Sequence, residues 1–198
     1  MWTGAILAGG RSRRLGGRNK AALTIGGATV LERQLARLRR VVDRTIIIAD
    51  DAAPFASTGL PVIPDLTTGD GALGALRTAI HASQTDRTLV MACDMPFVSE
   101  ALMGYLVDAG RAADIAIPRP ARGYEPLCAT YSRRCAGELA QLIAQQRFKL
   151  SDVTLIPGLI VRELGPAELE PFGPEELLFF NINTPDDYAR AIDLDANS

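Results

Sequence analysis

The sequence is poor in the side chains that most often carry acid–base chemistry or bind zinc: it contains one histidine and three cysteines. The cysteines, Cys93, Cys128 and Cys135, do not follow metal-ligand spacing, so we expect reduced thiols. His81 lies near the end of a predicted helix, where we expect a surface or capping residue. No apolar run is as long as a membrane span, and the first residues carry no signal-peptide pattern. We therefore expect a cytoplasmic protein that does not act at membranes.

The sequence has no large excess of positive or negative charge. The formal net charge is −2 at pH 7, which predicts no general attraction to nucleic acid. Hydrophobic residues make up 47% of the chain and charged residues 22%, which is ordinary for a soluble globular domain. A chain of 198 residues can form one substantial core, so we expect a single domain over residues 1–198.

Short apolar runs alternate with segments of helical periodicity. Buried strands are predicted at 4–8, 45–49 and 88–93, and further strands at 114–118 and 127–131. Extended segments are predicted at 60–64, 159–164 and 178–182. Helices are predicted to begin at Thr29, near Gly71, at Ser99, at Ser132 and at Thr184, and a surface loop is expected over 165–174. This alternation predicts an α/β fold with an open, mostly parallel sheet and helices on both faces. In the helix after Thr29, an apolar stripe is predicted to face the core and three arginines to face solvent: Arg33, Arg37 and Arg40.

A glycine-rich loop with many cations follows the first strand. It contains Gly9, Gly10, Gly16 and Gly17, together with Arg11, Arg13, Arg14, Arg18 and Lys20. Backbone amides in such turns bind anions, and a loop at the carboxyl end of a first strand is suited to nucleotide phosphates. A tight turn with solvated arginines is the alternative, but the density of cations favours phosphate binding. The loop is neither a Walker A motif nor a dinucleotide fingerprint.

Aspartates follow three other predicted strands. They are Asp50, Asp65 and Asp94, and ligands of open α/β sheets bind beyond the carboxyl ends of the strands. These residues are therefore candidates for one cleft with the glycine-rich loop. Asp94, in Cys93-Asp94-Met95-Pro96, is suited either to a magnesium ion or to capping a turn.

Several motifs carry a family resemblance. Leu7-Ala8-Gly9-Gly10, Arg14-Leu15-Gly16 and Lys20 resemble the signature of nucleotidyltransferases with a Rossmann-like GT-A fold. The Leu-Ala-Gly-Gly form is similar to that of the molybdenum cofactor guanylyltransferases in particular. Segments around Asp65, Gly71, Asp94 and Asn181-Ile182-Asn183 follow in the order of that family, so the resemblance runs from residue 4 to about residue 190.

The resemblance implies Mg²⁺-dependent transfer of GMP from GTP to the phosphate of molybdopterin, with release of pyrophosphate. It implies that Leu7, Ala8, Gly9, Gly10, Lys20, Asp65 and Asp94 bind the nucleotide. Lys20, Arg14 and Asp94 would be catalytic, and Asp94 would be the metal ligand. GTP and molybdopterin are the implied substrates, and we expect transient contact with proteins that supply molybdopterin.

The segment at Glu125-Pro126 resembles one that lines the pterin side of that family, although on sequence alone it is only a strand. Asn181 and Asn183 are candidates for hydrogen bonds to a pterin or a phosphate, or for capping the next helix. Cytidylyl transfer, or transfer to a sugar phosphate, stays open as an alternative within the same fold. A non-catalytic nucleotide-binding or cofactor-binding module is a further alternative, against which the presence of both Lys20 and Asp94 argues.

Overall fold

The computed structural model describes residues 1–9 and 20–196 of the chain. Seven strands form the main sheet in the order β5-β4-β1-β6-β8-β7-β9, and β2 and β3 pair in a small hairpin. The strands are β1 (Trp2–Leu7), β2 (Thr24–Ile25), β3 (Ala28–Thr29), β4 (Arg44–Ile48), β5 (Val62–Ile63), β6 (Arg87–Ala92), β7 (Ile115–Pro118), β8 (Cys128–Ser132) and β9 (Val161–Leu164).

The main sheet is parallel except for β8. Strand β1 lies between β4 and β6 and pairs in parallel with both, while β8 runs antiparallel to β6 and β7. Every residue of β1 is buried, as expected for a strand covered on both faces. The prediction of a mostly parallel α/β sheet is confirmed.

Helices cover both faces of the sheet. Buried residues of α1 and α3 share one core cluster with Ile6 and Met91, and those of α2 and α4 share a second cluster with Ala5 and Val90. The helices are α1 (Val30–Leu38), α2 (Gly71–Ala82), α3 (Glu100–Ala109), α4 (Cys135–Ala144), α5 (Pro166–Leu169), α6 (Glu175–Leu178) and α7 (Pro185–Ala196). Within the described residues, none of these helices has the length and apolarity needed to span a bilayer.

Three predicted helix starts are confirmed by their side-chain caps. The Thr29 hydroxyl accepts a hydrogen bond from the Glu32 amide at 3.1 Å, and the Glu32 carboxylate accepts one from the Thr29 amide at 2.7 Å. This reciprocal capping box begins α1. Ser99 caps α3, and the Thr184 hydroxyl accepts a hydrogen bond from the Asp187 amide at the start of α7.

Three segments differ from the prediction. The helix expected to begin at Ser132 begins at Cys135, because Ser132 is the last residue of β8 and pairs with Arg87 of β6. Residues 178–182 do not form a strand: α6 ends at Leu178, and the buried rings of Phe179 and Phe180 follow on irregular backbone. The apolar run that suggested a strand reflects core packing of this segment. Residues 165–174 are not simply a surface loop, because they include α5, which begins at Pro166 and places the fully buried Leu169 in the core.

The arginines of α1 are also not all solvated. Arg37 donates hydrogen bonds to the carbonyls of Pro96 and Val98 at 2.8 and 2.9 Å, and burial lowers the pKa of its guanidinium. Arg33 forms an ion pair with Asp195 at 2.6 Å. Of the three, Arg40 has the solvated side chain that periodicity predicts, at 73% exposure. Periodicity identifies a face of the helix, but it does not show which loops cover that face.

The residues that the sequence left without a catalytic role are structural or exposed. His81 is exposed in the last turn of α2. Cys93, Cys128 and Cys135 are free and buried, and burial raises the pKa of the Cys93 thiol to about 12 and that of Cys135 to about 11.

Asp114 is a buried carboxylate that joins three segments at one end of the sheet. It accepts hydrogen bonds from the Ser132 hydroxyl at 2.7 Å and from the Ile160 amide at 3.0 Å, and it pairs with Arg134 at 2.9 Å. Burial alone would raise the pKa of this carboxyl group, but the hydrogen bonds and the arginine outweigh burial and lower it.

Candidate active site

A cavity of about 340 Å³ opens at the carboxyl ends of β1 and β6. Parallel strands present their carboxyl ends at one edge of a sheet, where crossover loops leave room for a ligand. Loops that are far apart in the sequence therefore meet at this cavity. Its lining includes Leu7, Ala8, Gly9, Lys20, Ala72, Asp94, Glu125 and Asn181.

Lys20 is at the centre of the polar contacts in this cavity. It begins a short 3₁₀ turn, which Ala21 anchors in the core. Its Nζ atom donates hydrogen bonds to Asp94 Oδ2 at 3.0 Å and to Asn183 Oδ1 at 2.6 Å. Three segments that the sequence analysis selected separately are thus joined by one ammonium group. The side chains of Lys20 and Asp94 are each 20% exposed, so both remain accessible to a ligand.

Asp94 is held rigidly at the end of β6. The amide of the preceding Cys93 donates to the carbonyl of Leu7 at 3.0 Å, and the Asp94 carbonyl accepts a hydrogen bond from the Ile182 amide at 2.9 Å. Its carboxylate uses Oδ2 for Lys20, whereas Oδ1 is buried and has no hydrogen-bond partner among the described residues. A buried carboxylate oxygen without a partner is unfavourable unless a cation or another donor reaches it.

The donor set at Asp94 fits a magnesium ion. Mg²⁺ takes hard oxygen ligands, and it commonly uses one or two carboxylates together with water and substrate phosphates. Within residues 1–9 and 20–196, there is no group of three or more histidine, cysteine, aspartate and glutamate side chains that could hold a metal ion. Water and substrate oxygens would therefore complete the coordination of an ion at Asp94. The unpaired Oδ1 of Asp94 is the oxygen that such an ion would use.

The first strand supplies the other predicted nucleotide contacts. Leu7, Ala8 and Gly9 line the cavity, and the Ala8 amide is bonded to the carbonyl of Ile48 at 2.9 Å. A Cβ atom on Gly9 would lie 3.8 Å from the Ile48 carbonyl oxygen, an ordinary van der Waals distance, so a side chain there would not clash with the described residues. Gly10 and Arg14, which the sequence analysis also assigned to the site, lie outside the described residues, as do the other residues of 10–19.

Asp65 lies at the same edge of the sheet but does not line the cavity. It follows β5, and its amide donates to Asp50 Oδ1 at 3.3 Å. Burial and the nearby charges of Asp50 and Asp70 raise the pKa of Asp65, and its Oδ1 atom has no partner among the described residues. The structure thus places Asp65 in a neighbouring acidic group, apart from the contact between Lys20 and Asp94.

Glu125 and the two asparagines separate this cavity from a second one. Glu125 pairs with Arg122 at 2.6 Å, and burial raises the pKa of its carboxyl group. Asn181 lines both cavities, and its amide nitrogen donates to the Phe179 carbonyl at 3.0 Å. The second cavity measures about 480 Å³ and is lined by polar and charged residues: Arg122, Glu175, Glu176, Asn181, Asn183, Asp187 and Arg190, with Phe180.

The side chain of Asn183 does not cap the following helix. Its Oδ1 accepts the hydrogen bond from Lys20, while the capping contacts are made between Thr184 and Asp187. Of the alternatives for this asparagine, the structure therefore favours a place in the site.

Sequence reasoning missed two polar side chains that support the site from α1. Gln34 donates from Nε2 to the carbonyls of Ala92 and Met95 at 2.7 and 3.0 Å, and Arg37 holds the next part of the same loop. The sequence did contain a signal for Gln34, because this polar residue lies three positions after Leu31 and next to Leu35, within the apolar stripe of α1. A polar residue at a buried helix position needs a hydrogen-bond partner, which could have been sought in the loops over that face.

The chain is similar to proteins of one family. Residues 4–154 match the family model described as MobA-like NTP transferase domain. A probable molybdenum cofactor guanylyltransferase from Pelotomaculum thermopropionicum is 34% identical over 99% of this chain and 94% of its own length. Among solved structures, the molybdopterin-guanine dinucleotide biosynthesis protein A from Archaeoglobus fulgidus superposes with a TM-score of 0.83, at 30% identity, over 99% of this chain and 100% of its own. A protein from Mycobacterium tuberculosis, solved as a manganese complex, is 25% identical with a TM-score of 0.69, over 97% of this chain and 98% of its own.

Proposed function

We propose that this chain, which belongs to the family of MobA-like NTP transferase domains, transfers GMP from GTP to the phosphate of molybdopterin. The names of its relatives describe transfer of a nucleotidyl group. GTP as the donor, molybdopterin as the acceptor and Mg²⁺ as the metal ion are more specific than nucleotidyl transfer in general. These three choices are our proposal.

The observation that carries the proposal is the position of Lys20. Its ammonium group lies in the cavity at the carboxyl ends of β1 and β6, in contact with Asp94 and Asn183. In the reaction, an oxygen of the acceptor phosphate forms a bond to the α-phosphorus of GTP, and the bond from that phosphorus to the bridging oxygen breaks. Pyrophosphate leaves with the electron pair. A fixed cation stabilises the negative charge that develops on the transferred group and the leaving group.

The acceptor phosphate is already an anion at neutral pH, so the reaction needs no strong general base. What the chain must supply is alignment and charge neutralisation. Lys20 supplies one positive charge, and Asp94 would hold Mg²⁺, which contributes further charge neutralisation when it is bound. The backbone of Leu7, Ala8 and Gly9 forms the wall along which the triphosphate would lie.

The two cavities could bind the two substrates separately, the nucleotide donor in the first and the acceptor in the second. The first contains the glycine-loop residue Gly9, together with Lys20 and Asp94, and is suited to the triphosphate. The second has a polar lining of mixed charge, with Arg122 and Arg190 beside Glu175, Glu176 and Asp187, and it offers hydrogen-bonding groups to a polar acceptor. Asn181 lines both, so an acceptor phosphate in the second cavity would be next to the reacting centre.

The proposal is tested by measuring pyrophosphate release from GTP and from CTP with Mg²⁺, with and without molybdopterin. Release from GTP that requires molybdopterin is the expected result. Release from CTP would instead assign a cytidylyltransferase, and release only with a sugar phosphate as acceptor would assign that alternative. If a folded protein releases no pyrophosphate with either nucleotide and an active acceptor, the proposal is refuted in favour of a non-catalytic binding module.

A further inference from the structure

Gln34 is a polar side chain in an apolar surrounding. It is 1% exposed and lies on the face of α1 that packs on the sheet, together with the buried Leu31, Leu35 and Leu38. An aliphatic side chain would be the ordinary occupant of such a position. Burying an amide there is costly unless both its donors and its acceptor are satisfied.

The two N–H donors of the Gln34 side chain are both satisfied by one short turn. Nε2 donates to Ala92 O at 2.7 Å and to Met95 O at 3.0 Å, so its two hydrogens reach the two ends of a turn that contains Asp94. The acceptor atom Oε1 is buried and has no partner among the described residues. The side chain is therefore fitted to the turn and leaves one of its own polar atoms unpaired, which is a poor arrangement for stability alone.

Other contacts hold the turn as well, since the Cys93 amide donates to the Leu7 carbonyl at 3.0 Å and Lys20 donates to the Asp94 carboxylate. The Asp94 carbonyl is bonded to the Ile182 amide at 2.9 Å, and Arg37 binds the chain further along, at Pro96 and Val98. Gln34 is the side chain that joins the residues on either side of Cys93 and Asp94. These carbonyls belong to the Ala92–Cys93 and Met95–Pro96 peptides, which lie just outside the two peptide planes that flank Asp94, so Gln34 holds the turn at both of its ends.

We propose that Gln34 is a positioning residue for Asp94. By holding the carbonyls of Ala92 and Met95, it sets the Asp94 carboxylate so that Oδ2 meets Lys20 while Oδ1 remains free for a cation. The inference rests on the proposed function in one respect, namely that Asp94 binds a divalent cation together with a nucleotide. It adds a residue on another element that acts through Asp94 and does not touch the ligand.

The test measures how strongly Mn²⁺ increases the affinity of the full-length chain for GTP. GTP is titrated into the protein by calorimetry, with Mn²⁺ and with chelator, and the ratio of the two dissociation constants is compared between variants. Gln34→Met removes both donors and keeps the side-chain length, and Gln34→Glu keeps the shape. Asp94→Ala is the reference for loss of the cation. Thr130→Val is the control for exchanging a buried polar residue of β8 for an apolar one.

Residues that orient a metal ligand typically change metal affinity by about 10- to 100-fold when they are altered. We expect Gln34→Met to lower the Mn²⁺-dependent gain in GTP affinity by about tenfold, with metal-free GTP affinity unchanged within about twofold. If Gln34 served only the stability of the fold, its replacement would not weaken GTP binding in the presence of Mn²⁺ while leaving GTP binding in chelator unchanged. Thr130→Val should leave both at the wild-type value.

The outcomes distinguish this inference from the proposed function. If Asp94→Ala loses the gain from Mn²⁺ but Gln34→Met and Gln34→Glu retain it, the positioning role is refuted and the metal role of Asp94 stands. If Asp94→Ala retains the gain, the metal assignment fails and the positioning role fails with it. If neither Gln34 variant folds at 25 °C, Gln34 serves the stability of the fold, which also overturns the inference.

Discussion

Replacement of Lys20 by methionine separates catalysis from folding at this site. Methionine has a similar length and lacks the charge, so the change removes the hydrogen bonds to Asp94 and Asn183 with little change in volume. If Lys20 stabilises the transferred phosphoryl group, its loss should act on turnover much more than on stability. The two effects can be estimated separately from the structure.

Removal of one preorganised donor to a developing charge typically lowers kcat by about 10²- to 10³-fold. The effect on stability should be small, because the side chains of Lys20 and Asp94 are each 20% exposed and partly exposed ion pairs contribute about 1 kcal/mol or less. For a chain of 198 residues, a loss of about 1 kcal/mol lowers Tm by about 2–4 °C. We therefore expect a large fall in kcat and a small fall in Tm.

The assay is steady-state pyrophosphate release together with thermal unfolding of the same preparations. Arg40→Met is the matched control, because Arg40 lies in the turn after α1 with a 73% exposed side chain, and its ion pair with Glu100 at 3.6 Å is exposed to solvent. It should leave kcat and Tm near the wild-type values. A folded Lys20→Met variant with kcat within about tenfold of wild type would contradict the assignment of Lys20 to charge stabilisation.

Two further predictions concern stability. A Cβ atom on Gly4 would lie 2.6 Å from Leu38 Cδ2, so Gly4→Ala should destabilise the protein by about 1–3 kcal/mol in urea unfolding. Gly137→Ala in helix α4 is the matched control, because a Cβ atom there meets no described atom within 4 Å. This substitution should stabilise the protein by about 0.5–1 kcal/mol. A similar loss of stability at both positions would refute the packing argument. Because the pKa of Asp114 is lowered in the folded state, its stabilising contribution is present above the ordinary aspartate pKa of about 4 and is lost as pH falls through the folded-state value. The difference in Tm between wild type and Asp114→Asn should therefore narrow as pH falls from about 5 through the lowered folded-state pKa, and a constant difference would contradict this account.

The strands and helices could be predicted to a large extent because their signals are local. The buried run at β1, the capping box at Thr29 and the Thr184-Pro185 helix start each depend on residues within one or two turns of the chain. Strand order could not be predicted, because it depends on contacts between distant segments. The insertion of antiparallel β8 between β6 and β7 has no signature in the sequence of β8 itself.

The charged residues of the site could be predicted, but most of their contacts could not. Lys20 and Asp94 stand in motifs, whereas the hydrogen bond from Lys20 to Asn183 joins residues 163 positions apart. Asp65 also stands in a motif, but the structure places it outside the cavity that contains Lys20. A motif therefore indicates the edge of the sheet at which a residue lies, and the packing of the loops decides which of these residues meet.

Helix α1 explains how a site assembled from distant segments can be rigid. The helix follows the turn that begins at Lys20, and the Val30 amide is bonded back to the Leu23 carbonyl at 2.9 Å. About one and two turns further along the helix, Gln34 and Arg37 hold the loop of Asp94. Both partners of the 3.0 Å contact between Lys20 and Asp94 are thus tied to one element that packs on the sheet, although they lie 74 residues apart. Charge stabilisation depends on groups that are already in place, and in our proposal the buried amide of Gln34 contributes to this by positioning the Asp94 carboxylate that Lys20 contacts.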